Sequence, residues 1–244
     1  MSTLRGAFQF NSDTYNSFIN PYREINRKIY NDLENSSIKD AYEFVPLIHP
    51  MFDTNEEIMD IINLTHAKAL KIHGVACGLG PYQISKEKIE LFRKLNLPII
   101  VHTDYAMNAN NLTSIIRNMN NPFDWAMFFI NNDLKGYITH GARLDIKTIN
   151  LINKHDNLVL GIGPDYKINC ERERWINKME NIDFLKIIRE NVDINKIMFD
   201  VDFSWNICEN KTLDYNQHDR IKDVFNRDEQ EKIYSLNAKR FFNC

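Results

Sequence analysis

Four apolar runs in this chain each stop on a side chain able to hold or move a proton. They read Ala69-Leu70-Lys71-Ile72-His73, Pro98-Ile99-Ile100-Val101-His102, Gly136-Tyr137-Ile138-Thr139-His140 and Lys196-Ile197-Met198-Phe199-Asp200-Val201-Asp202. An imidazole of near-neutral pKa moves protons at physiological pH, which makes His140 a candidate catalytic residue beside Asp202. Lys71 falls two residues before His73 and so shares its strand face. A lysine on an interior face needs a partner, Asp200 or Asp202, or its pKa falls; its two uses are an ion pair and a Schiff base. Arg143, three residues after His140, carries the forked donor that grips a carboxylate, or forms a salt bridge to Asp145. With His73 and Trp205 it makes up the candidate substrate-binding set. His49 closes a further run before Pro50. On ligand type, His49 with His102 and Asp202 suits zinc or manganese, although the chain holds no His-x-His pair.

These residues need elements to bring them together. Each run has the length and apolar bias of a buried parallel strand. Further strands are expected at Leu4–Phe10, Glu43–His49 and Asn157–Ile162. Helical spacing of apolar residues is expected over Pro21–Leu33, Asn55–Leu64, Leu112–Met119, Pro122–Ile130, Asp145–Lys154, Ile182–Asn191 and Asp228–Phe242. Another helix begins at the N-cap Ser85 and runs to Leu95, without the Glu at N3 of a full capping box. Strands alternating with helices predict an α/β fold of the TIM-type (β/α) barrel kind, whose chemistry sits at the carboxyl ends of the strands. The seven strand candidates fall one short of a full ring, so an incomplete or distorted barrel lacking its first strand is expected.

Composition narrows the field. The 244 residues carry a formal charge of −3, with Lys and Arg scattered among Asp and Glu, which points away from nucleic acid. Cys77, Cys170, Cys208 and Cys244 form no CxxC pair, so no disulfide framework is expected and a cytoplasmic setting is. Met1 to Asn20 contains no apolar core of a signal peptide, and no run is long enough to span a bilayer. With no repeat or Gly/Ser linker, residues 1–244 read as one domain.

The series His102-Thr103-Asp104, Thr139-His140-Gly141, Phe199-Asp200-Val201-Asp202-Phe203-Ser204 and Leu236-Asn237-Ala238-Lys239-Arg240-Phe241-Phe242 resembles the amidohydrolase-related family of metal-dependent hydrolases and decarboxylases. Val45-Pro46-Leu47-Ile48-His49-Pro50, Ala69 to His73 and Pro122-Phe123-Asp124-Trp125 extend the likeness in the same order from about Asn20 to the end. The resemblance implies a divalent metal near His102 and Asp202, an acid/base or metal-neighbour role for His140, and hydrolysis or decarboxylation of a small polar or carboxylated substrate. It also implies that the terminal Asn-Ala-Lys-Arg packs the last helix. Asp200 stands where the family often has glycine, and the family's first-strand His-x-His has no counterpart. Other readings are a divergent barrel that binds a ligand or a partner subunit, and an acid/base catalyst working without metal. An open barrel edge would favour a homodimer or a covering partner chain.

Overall fold

The computed structural model describes residues 21–103, 115, 118–163, 181–200 and 216–244. The expected strand Leu4–Phe10, most of the helix at 112–119, and Asp104, Cys170, Asp202, Trp205 and Cys208 lie outside them.

Five parallel strands form one sheet in chain order: β1 (Leu70–Ile72), β2 (Ile99–Val101), β3 (Gly136–Ile138), β4 (Leu158–Ile162) and β5 (Ile197–Phe199). Neighbours in sequence are neighbours in space, as short right-handed crossovers require. The expected strand at Glu43–His49 is reduced to a single parallel bridge, Leu47 to Lys71. Ile48 N–H donates to Lys71 O and Lys71 N–H to Pro46 O. Pro46 has no N–H to extend the ladder, and Pro50 ends it.

The side-chain period of two divides the sheet. Leu70, Ile72, Ile99, Val101, Ile138, Leu158, Leu160, Ile162 and Ile197 face an outer helical layer and form the main core. That layer comprises α1 (Pro21–Glu34), α2 (Asn55–Thr65), the single turn α3 (Gly74–Cys77), α4 (Lys86–Leu95), α5 (Pro122–Asn132), α6 (Ile146–Lys154), α7 (Asn181–Asn191) and α8 (Asn216–Val224). Trp125, Phe129, Phe92 and Phe184 are almost fully buried on it. Each such side chain stabilises the fold by about 1.5–3 kcal/mol relative to exposure. The helix starts follow capping chemistry. Thr54 and Glu57 make a reciprocal capping box, Ser85 accepts only from Lys88 N–H, and Asp145 accepts from Thr148 N–H, so α6 begins at Ile146 rather than at Asp145.

Lys71, Ile100, Tyr137, Val159 and Met198 lie on the opposite, inward face. The chain's last helical stretch closes that face from below. It runs through α9 (Arg227–Glu231), a widened π-type turn (Lys232–Leu236) and α10 (Asn237–Phe242). Phe241 is buried against Tyr137, Val159 and Met198, with Phe242 and Ala238 beside it. Buried Asn237 donates to Ile194 O at 2.8 Å and Ile197 O at 2.7 Å, fastening this helix under the start of β5. Among the described residues no helix is long and apolar enough to cross a membrane.

Candidate active site

The period of two carries His73 and His102 inward, past the ends of β1 and β2. Their rings stack with centroids 4.0 Å apart and planes 15° from parallel. His73 is buried and caps α3, its Nδ1 accepting Ala76 N–H at 3.2 Å. The ring proton of His73 therefore sits on Nε2. Burial, and then the charge of Lys71, lower the His73 pKa to about 3. His102 keeps some exposure.

His140 reaches the same place by a different route. Ile138 faces outward, so two residues on an unbroken strand would send His140 outward too. Instead β3 ends at Ile138, and the backbone turns left-handed over five residues: His140 (φ 57°), Gly141 (57°), Ala142 (49°), Arg143 (52°) and Leu144 (55°). For residues other than glycine this conformation costs roughly 1–2 kcal/mol each. Packing and hydrogen bonds hold it. Arg143, buried, donates from Nε (3.3 Å) and Nη2 (3.2 Å) to Thr103 O. Thr103 Oγ1 donates to Thr139 O at 3.1 Å, and Thr139 Oγ1 to Val101 O at 2.9 Å. A Cβ on Gly141 would lie 2.2 Å from the Phe184 ring, so glycine answers both the φ and the contact.

The turn delivers His140 Nε2 to 2.9 Å from His102 Nδ1, with the rings edge to face. Burial, then the charges of Arg143, Lys71 and His73, push the His140 pKa well down; a backbone hydrogen bond at Gly163 opposes this. His102 is lowered likewise, by burial first and then by His73, His140, Arg143 and Lys71. Three neutral imidazoles thus lie within electrostatic reach of two cationic side chains, at the carboxyl ends of adjacent strands.

His49 belongs to a second polar group. Its Nδ1 accepts N–H from Met51 (3.3 Å) and Phe52 (3.2 Å), and its ring stacks on Phe52 at 4.2 Å. Its proton is then on Nε2, and burial lowers its pKa to about 4. Neither nitrogen offers a lone pair to a metal. Asp53 Oδ2 accepts the His49 backbone N–H at 2.7 Å, and burial raises the Asp53 pKa to about 6. Lys88 Nζ donates to Asp53 O and Asn55 Oδ1, both at 2.7 Å. Cys77, 3.6 Å from Tyr22 Oη, has its thiol pushed up to about 12 by burial, so no thiolate forms there at neutral pH.

The metal implied by resemblance meets these facts directly. Among the described residues no group of three or more His, Cys, Asp or Glu is placed to hold an ion. His49 is engaged elsewhere, and one nitrogen of His102 is bonded to His140. The described donors do not fit a metal by themselves.

No family model matches the sequence, and no curated protein matches it significantly. Solved structures do match. A probable 2-pyrone-4,6-dicarboxylic acid hydrolase from Acinetobacter baumannii, with citric acid bound, superposes with TM-score 0.61 at 14% identity, covering 90% of this chain and 79% of that one. An uncharacterized TIM-barrel protein from Bordetella bronchiseptica gives 0.57 at 16%, covering 88% and 72%. Amidohydrolase 2 from Bifidobacterium longum subsp. infantis gives 0.54 at 16%, covering 91% and 75%. The fold is that of a TIM-type α/β barrel. His73, His102 and His140 lie at the carboxyl ends of the strands, the end at which TIM-type barrels in general keep their chemistry. Sequence reasoning placed His140 at a strand end but not its left-handed turn, for which Gly141 was the only visible sign. Tyr137, a tyrosine inside an apolar run, reads as core from sequence alone.

Proposed function

We propose that the chain is an enzyme that hydrolyses or decarboxylates a small carboxylated substrate by acid/base chemistry at this face. The observation that carries the reading is the 2.9 Å contact of His102 with His140, beside stacked His73 and buried Arg143. The citric acid held by the Acinetobacter structure supports a carboxylate as the first probe.

In this reading the His140 ring donates a proton to the Gly163 carbonyl, and its Nε2 accepts from His102 Nδ1–H. His102 Nε2 is then left as a base, next to His73 Nε2–H as a donor. Arg143 and Lys71 hold the substrate carboxylate. Arriving negative charge raises the suppressed imidazole pKa values toward neutrality, so the substrate itself arms the acid/base pair. For hydrolysis, His102 Nε2 takes a proton from water as its oxygen adds to the substrate's acyl carbon, His140 shares the charge, and the His102 imidazolium returns the proton to the leaving oxygen as the C–O bond breaks. The polarised His73 N–H stabilises the oxyanion. Asp202 and Trp205 belong to the proposed site by their place after β5, Asp202 as a further base and Trp205 as a pocket wall.

The test is calorimetric titration with malate and succinate, with zinc and manganese analysed on the same samples. Saturable binding that falls at least tenfold in Arg143→Ala, with His140→Gln abolishing turnover across a panel of carboxylated esters, lactones and β-keto acids, supports the reading. A stoichiometric metal lost in His102→Ala overturns its metal-free form. Absence of carboxylate binding overturns the substrate class.

A further inference from the structure

Lys88 and Lys196 are buried, and both serve the fold. Lys88 Nζ donates to Asp53 O and Asn55 Oδ1, and Lys196 Nζ to His155 O at 3.0 Å and Asp156 Oδ1 at 3.2 Å. Lys71, on the inward face of β1, is built into no such contact. Among the described residues its Nζ makes no hydrogen bond and no ion pair. Asp200, one of its two expected partners, stands elsewhere: a Cβ on Gly161 would lie 2.7 Å from Asp200 Oδ2 and 2.5 Å from Tyr137 Oη. The other, Asp202, lies outside the described residues. What Lys71 does meet is the imidazole group, since its charge acts on His73, His102 and His140 alike. Solvent also reaches it. Lys71 of β1, Ile100 of β2 and His102 just beyond it all point inward and all keep partial exposure. Tyr137, Val159 and Met198, further round the sheet, are buried with Phe241. The part of the inward face open to solvent is thus the part that carries an amine and an imidazole base.

We propose that Lys71 is a nucleophile that forms an imine with the ketone of a β-keto acid and so decarboxylates it. The inference rests on the carboxylate reading above and gives its decarboxylating branch a chemistry: Lys71 draws the carboxylate in as a cation and then reacts. His102 Nε2 takes one proton from the ammonium, and the freed lone pair adds to the ketone carbon. A second N–H proton passes to the former carbonyl oxygen. His102 returns the first proton to that oxygen, and water leaves a protonated imine. The bond between the α-carbon and the carboxylate then breaks. Its electron pair moves toward the cationic nitrogen, giving an enamine and carbon dioxide. The α-carbon takes one proton from solvent through an imidazole, and water hydrolyses the imine, which restores the Lys71 ammonium. The sum converts keto acid and one proton into ketone and carbon dioxide, with no oxidant or reductant. Neutral imidazoles around the amine suit this exchange because they accept and return protons, which a fixed carboxylate partner would oppose by holding the ammonium.

The test incubates the wild-type chain with acetoacetate and sodium cyanoborohydride, digests it and weighs every lysine peptide, while succinate binding is followed by calorimetry. The expected result is a reduced adduct on Lys71 at about tenfold the level on any other lysine. Acetoacetate should be consumed by wild type and not by Lys71→Arg, which keeps the charge but not the nucleophile, with thermal melts to show that the variant folds. Succinate binding without an adduct on Lys71, or acetoacetate turnover undiminished in folded Lys71→Arg, overturns this inference and leaves the carboxylate reading standing. An adduct on Lys71 without succinate binding supports the imine and overturns the carboxylate class. Absence of both overturns both. If Lys71→Arg does not fold, the adduct map of the wild type, which needs no substitution, decides alone.

Discussion

Two groups of buried polar side chains stand at neighbouring strand ends, and they treat their histidines in opposite ways. Around His49 the hydrogen bonds serve the local backbone. The ring accepts from Met51 and Phe52, Asp53 holds the His49 N–H, and Lys88 reaches the Asp53 carbonyl. That group caps a truncated strand. Around His102 the imidazoles stack on and bond to one another, and one is delivered by five left-handed residues. A histidine at the end of a barrel strand is therefore not a functional residue by position alone. What separates the two is where the ring nitrogens point, and whether backbone strain is maintained to aim them.

The sharpest way to break the contrast is Gly141→Ala. Its methyl would meet Phe184 on a φ of 57°, and the expected cost is about 3 kcal/mol from strain plus overpacking. Urea unfolding should show that loss together with lost malate binding; near-wild-type values for both would dissolve the link between strain and site. His49→Ala should do the reverse. Removing a buried acceptor of two backbone N–H groups is expected to cost about 2–3 kcal/mol, with malate affinity within about twofold of wild type. A large affinity loss in a folded His49→Ala would merge the two groups.

Acid should find the structural group as well. His49 has a folded-state pKa of about 4 against an ordinary 6.5. Its stabilising effect is present above 6.5 and is lost as pH falls toward 4, about 2 kcal/mol by pH 5. Asp53 runs the other way. Its pKa is raised to about 6 from 3.8, so its contribution is present below 3.8 and is lost as pH rises through 6. Acidification thus returns about 1 kcal/mol from Asp53 between pH 6 and 5. Chemical denaturation at pH 7 and pH 5 should show a smaller acid loss in His49→Gln than in wild type, by about 2 kcal/mol; an identical loss would remove His49 from the account. Smallest of all, Ser85→Ala deletes one helix cap outside both groups. It should cost about 1 kcal/mol in thermal or urea unfolding and move neither histidine cluster.

Much of this was legible in the chain. The apolar runs at 70–72, 99–101, 136–138, 158–162 and 197–199 became the five strands because β-branched and aliphatic residues buried on both faces suit a parallel sheet. The cap at Ser85 likewise follows from local chemistry, whereas the packing of Asn237 is what the family resemblance implies for the terminal Asn-Ala-Lys-Arg. What was not legible depended on backbone detail or on distant neighbours. Alternation placed His73 and His102 on one face, yet it would have sent His140 to the other; only the left-handed turn reverses that. His49 matched the strand-end pattern as well as His73 does, and only its engagement by Met51 and Phe52 shows a structural use. Gly161 is a one-residue signal whose meaning depends on Tyr137 in β3 and Asp200 just past β5.

The most direct measurement is a long-range ¹H–¹⁵N spectrum of the histidine rings at pH 7 as malate is added. The account predicts that the ring nitrogens of His73, His102 and His140 shift together along one saturation curve, while those of His49 stay in place with Nδ1 unprotonated. Equal movement of His49, or no movement of the other three at saturating malate, would contradict it.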